Sequence, residues 1–75
     1  MKDLNYIKRN LIEDLSKPIF KNSKEVEKLK HKIEYKKSNT AMINFLKKEM
    51  KEDHGNIFNN AVIFSLFNRA LNNIR

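Results

Sequence analysis

Seventy-five residues with one glycine, one proline, no cysteine and a net charge of +7 describe a single small domain, 1–75. A chain this short buries only about 60% of its unfolded surface, so a second subunit is a reasonable expectation. The composition excludes disulfides and thiolate-based zinc sites. The longest apolar-rich run, AVIFSLF at 61–67, falls far short of the roughly 20 residues of a membrane span. The mixed-charge start MKDLNYIKRNLIEDL has no continuous apolar core like that of a secretory signal. The expectation is a cytoplasmic protein with no membrane partner.

In chain order, the first predicted element is a helix over the N-terminal segment 1–17. Leu4, Ile7, Leu11, Ile12 and Leu15 recur at helical spacing from Asp3 to about Ser16. Pro18 cannot continue that helix, and it disfavours helical geometry at Lys17. In the linker 18–22, Ile19 and Phe20 should tuck against a neighbour.

The second segment, from about Ser23 to Lys37, supports two readings. With period two, Lys28, Lys30, Lys32 and Lys36 share a face with Glu34, opposite Leu29, His31, Ile33 and Tyr35. That is a basic strand over 29–36. With helical period, Val26, Leu29 and Ile33 form a narrow apolar stripe and the lysines spread around the rest. Asn22 with Glu25 resembles a capping box, and the good helix formers of EVEKLKHKIEYKK favour helix. Helix is the preferred local reading.

The third segment, from about Thr40 to Asp53, turns Met42, Ile43, Leu46 and Met50 inward. Ser38, Asn39 and Thr40 are available as caps, and Gly55 stands where a helix end needs positive φ. The fourth, NIFNNAVIFSLFNRALNNIR, is apolar almost all round. Ile57, Phe58, Ala61, Val62, Ile63, Phe64, Leu66, Phe67, Ala70, Leu71 and Ile74 exceed what two short neighbours cover. A homodimer joined through Ile57, Val62, Phe64, Phe67 and Leu71 is the economical solution. The alternative is a central helix wrapped by the rest of its own chain.

Charge is concentrated in one place. Residues 17–37 hold eight lysines against Glu25, Glu27 and Glu34, while 1–16 and 38–55 are each neutral. Such a block suits phosphate or an acidic protein surface, or simply keeps a face in water. Catalytic spacing is missing. Glu13 and Asp14, being adjacent, diverge by about 100° on a helix. One glycine excludes a phosphate loop. The serines have no histidine–acid partners that can be placed around them. Glu49, Asp53 and His54 could share a helix end, where a lone histidine more often meets the helix dipole than a metal. No enzyme activity, cofactor or metal is expected.

The order of a basic alternating stretch, a helix, a glycine and a strongly apolar helix resembles the ribbon–helix–helix repressors. The residues concerned are KHKIEYK at 30–36, MKEDHG at 50–55 and NIFNNAVIFSLFNRAL at 56–71, within 28–73. Glu34 departs from the pattern, because a carboxylate on the groove face repels phosphate. The resemblance implies a dimeric ribbon in the DNA major groove carrying Lys28, Lys30, Lys32 and Lys36. It also implies a phosphate clamped by backbone amides near Asn59 and Asn60 at the start of the last helix.

The sequence-based reading is therefore mainly α, a bundle of three to four helices, with a ribbon–helix–helix dimer as the version containing a strand. The expected function is binding DNA as a small repressor or partition accessory. Thirteen lysines and eleven asparagines against one glycine suggest AT-rich coding, as in phages and plasmids. The alternative is a non-enzymatic inhibitor or adaptor docking on a protein of a nucleic-acid-handling machine.

Overall fold

The first helix, α1 (Leu4–Leu15), begins where the Asp3 carboxylate accepts the Tyr6 N–H at 2.8 Å, satisfying one of the orphan amides of its first turn. In this computed structural model, which describes residues 3–74, three further α-helices follow. They are α2 (Lys24–Glu34), α3 (Asn39–Glu49) and α4 (Ile57–Ile74), and no strand occurs among the described residues.

Pro18 ends α1 as expected, and the chain makes a 3-10 turn over Pro18–Phe20. That turn buries Phe20 but leaves Ile19 exposed, so only one of the two apolar linker residues is tucked in. Asn22 does not cap α2. It adopts positive φ, a conformation asparagine tolerates, and so passes the cap to Ser23. The Ser23 hydroxyl accepts the Val26 N–H at 3.3 Å. Ser38 caps α3 in the same way through the Ala41 N–H, at 3.1 Å.

The strand reading of 29–36 is overturned. Residues 29–34 are helical, Tyr35 caps the helix and Lys36 lies just beyond it. The decisive feature is the Val26, Leu29 and Ile33 stripe, which is fully buried. A strand would have turned one of these residues away from the others. Lys8 of α1 closes the end of α2 by donating to the Lys36 carbonyl at 2.9 Å.

Packing follows the order α2, α1, α4, α3, with α1 and α4 in the middle. Ile7, Leu11 and Leu15 of α1 meet Val26, Leu29 and Ile33 on one side and the inner face of α4 on the other. Met42, Phe45 and Leu46 of α3 close the far side, with the Phe45 ring 6.0 Å from that of Phe67. The radius of gyration is 11.4 Å, against about 11 Å for a self-contained domain of this length.

This packing corrects the expected dimer core. Ile63, Phe67, Ala70, Leu71 and Ile74 are buried within the chain, so Phe67 and Leu71 are not available to a second copy. Val62 is half-buried, and Ile57 and Phe64 remain exposed. The neighbours cover more of α4 than its composition suggested, because one long inner face serves both α1 and α3.

Candidate interaction surface

Helical geometry disperses the lysines that a strand would have aligned. Lys30 points back towards α1, half-buried. Its ammonium lies 2.9 Å from the Glu27 carboxylate and donates to the Ser16 hydroxyl at 3.3 Å. Lys36 is half-buried with its ammonium 4.9 Å from the centre of the Phe45 ring, a cation–π contact. Lys28 and Lys32 face outward, Lys28 with Glu25 at 3.9 Å.

The outer crest of α2 joins Lys28 and Lys32 of the ribbon reading to residues that it left out or put on the opposite face. Lys24, Lys28, His31 and Tyr35 follow one another at i, i+4, i+7 and i+11, with Lys32 beside them, all exposed. Lys24, Lys28 and Lys32 stand about 6 Å apart along the helix axis. The Tyr35 ring is 72% exposed, an unusual position for an aromatic side chain among cations. Lys21 and Lys37 lie exposed just beyond the two ends of the helix. Part of the charge pattern has a local explanation. Glu25 and Glu27 sit in the first turn of α2, and His31 and Lys32 in the last, as the helix dipole favours.

The start of α4, where the resemblance implies a phosphate clamp near Asn59 and Asn60, is occupied by the chain's own groups. The Asn59 N–H donates to the Asn56 side chain at 2.7 Å, and the Asn60 N–H donates to the Asn56 carbonyl at 3.0 Å. The Asn59 side chain donates to the His54 carbonyl, while the Asn60 oxygen accepts the His54 N–H at 2.6 Å. Asn60 also donates to the Asp53 carboxylate, which accepts the Gly55 N–H as well. An anion introduced here would meet a resident carboxylate.

His54 itself is buried, and its Nε2–H donates to the Glu49 carbonyl at 2.6 Å. The Glu49 carbonyl, at the end of α3, thus accepts two donors, this ring N–H and the Glu52 N–H at 3.2 Å. The buried Glu49 carboxylate lies 4.0 Å from the same nitrogen. Gly55 does adopt positive φ, but it serves the turn before α4 rather than the end of α3.

The hydrogen bonds from Asn60 and Gly55 hold the Asp53 carboxyl below its ordinary value of 3.8. Its contribution to stability is therefore complete above that ordinary value and is lost as pH falls through the lower, folded-state value. Acid titration should show Asp53→Asn losing stability less steeply below about pH 4 than the parent. Circular dichroism melts at stepped pH measure this, and parallel curves would show that Asp53 contributes nothing.

A second surface is apolar. Ile57, 87% exposed, together with Phe58, Ala61 and Phe64, lies on the outer side of α4. Among the described residues no group of three or more His, Cys, Asp or Glu is placed to hold a metal ion. No helix among those residues is long and apolar enough to cross a membrane. The chain has no significant match among protein-family models, curated proteins or solved structures.

Proposed function

We propose that this chain is a small, non-catalytic DNA-binding protein of the repressor or accessory type. In this reading it lays the outer crest of α2 against the phosphate backbone of duplex DNA. The observation that supports it is the run of Lys24, Lys28 and Lys32 around the exposed Tyr35, with Lys21 and Lys37 extending it. Flexible ammonium groups suit phosphate as point charges, and a basic helix is narrow enough for the major groove. Phosphate contacts alone carry no sequence information. Discrimination would have to come from Tyr35, His31 or a lysine reaching a base edge.

Neutralising phosphates releases counterions, so affinity must fall with salt. Allowing about three phosphate contacts per copy, the log–log slope on duplex should be about −3. Fluorescence anisotropy of a labelled duplex across a salt series measures it. Absence of binding to duplex at low salt, with retained binding to polyglutamate, would overturn the reading in favour of a second one. In that case the same lysines dock on an acidic protein surface, as an inhibitor or adaptor would. The exposed Tyr35 among those lysines is the observation that favours this alternative, since tyrosine is enriched at protein–protein interfaces.

A further inference from the structure

We propose that two copies of this chain pair through the outer face of α4, antiparallel, about a two-fold axis close to Ala61. Ile57, Ala61 and Phe64 recur at i, i+4 and i+7, so they form one stripe, large–small–large, along the exposed side of the helix. Such a stripe is its own complement. Turned end to end, Ile57 packs against the partner's Phe64, Phe64 against the partner's Ile57, and the two small Ala61 side chains let the helices approach closely. Phe58 and the half-buried Val62 border the contact, and Asn68 continues the stripe as a polar rim.

Charge selects a second copy over an acidic partner. The chain carries +7, yet residues 57–68 contain no charged side chain at all. Two identical cationic molecules can meet there without opposing like charges, whereas an acidic protein would find no cation on that face to complement it. Arg69, the first charge along α4, is held by Asp14 of the same chain at 3.4 Å.

The exposed parts of Ile57, Phe58 and Phe64 amount to on the order of 400 Å² of apolar side chain, in the range of the largest patches that monomers leave in water. This is about half of what each partner contributes to a standard stable interface, so association should be micromolar and concentration-dependent. The seam differs from the one composition suggests, because it excludes the buried Phe67 and Leu71. It also stands independently of the phosphate reading, since its test needs no nucleic acid.

Sedimentation of the full chain from about 5 µM to 1 mM should show a mass rising from one chain to two. Ile57→Asp and Phe64→Asp should each keep the protein monomeric throughout, with unchanged helical circular dichroism. Asn44→Asp, an equal charge change on the exposed face of α3, should leave dimerisation intact. The chain has no cysteine, so Ala61→Cys supplies a single thiol near the axis. It should oxidise to a covalent dimer much faster than Asn44→Cys, because a disulfide requires the two Cα atoms to come within about 7 Å. The proposal is overturned by a wild type that stays monomeric, by a dimer that survives both aspartate variants, by an equal loss in Asn44→Asp, or by equal oxidation of the two cysteine variants.

Discussion

Phe67→Ala should cost about 3–5 kcal/mol, enough to leave a domain of this size largely unfolded at room temperature. Phe67 is fully buried, at the centre of the core, between Ile63 and Leu71 of its own helix and beside the ring of Phe45. Alanine there leaves a cavity that α1 and α3 cannot close without moving their own caps, and a small core has few other contacts to offset the loss. Phe64→Ala, one turn earlier on the outer side, removes a ring that is 53% exposed. It should change the stability of the monomer by about 0.5 kcal/mol or less. Denaturant unfolding of the two variants at low concentration makes the comparison, and equal losses would mean that the inner face of α4 is misassigned. The contrast separates what α4 does for the fold from what its outer stripe is left free to do.

Much of the bundle was legible because apolar spacing and punctuation agree. Leu4, Ile7, Leu11 and Leu15 mark α1, Pro18 ends it, and Ser38 opens α3. Residues 28–36 were ambiguous for a physical reason. Leu29 and Ile33 are four apart, a separation that puts two side chains together both on a helix and on a strand. Val26, three before Leu29, joins the capping and helix-former signals in favour of helix, and its burial settles which set of lysines shares a face.

The capping residue of α2 was misplaced by one position because both Asn22 and Ser23 suit a cap. Asn22 was drawn into the left-handed turn that closes the 3-10 segment. Phe45 was missed as a core residue since it flanks, rather than continues, the Met42 and Leu46 row. It is buried because Phe67 comes to meet it from another helix. The proposed binding surface was legible in composition but not in arrangement. The lysine block and the apolar last helix were both evident. Which lysines turn outward and which phenylalanines remain uncovered depend on how α1 and α4 pack, and that is a tertiary fact. The occupied start of α4 was hidden for a similar reason. The amides near Asn59 and Asn60 read as available donors until Asn56 and the turn at Asp53–Gly55 fold back onto this segment.

The most direct test of the account compares two lysine pairs that a strand would make equivalent and a helix makes different. Lys28 and Lys32 lie on the outer crest of α2, while Lys30 and Lys36 are half-buried on α1 and on Phe45. Duplex affinity of Lys28→Ala/Lys32→Ala and of Lys30→Ala/Lys36→Ala should be measured across the same salt series, with circular dichroism confirming that both fold. The crest pair should lose about tenfold or more in affinity at low salt, and its slope should flatten by about 2. The half-buried pair should stay within about twofold of the parent with an unchanged slope. Equal losses in the two pairs, or a larger loss in the half-buried pair, would contradict the assignment of the α2 crest as the DNA-facing surface.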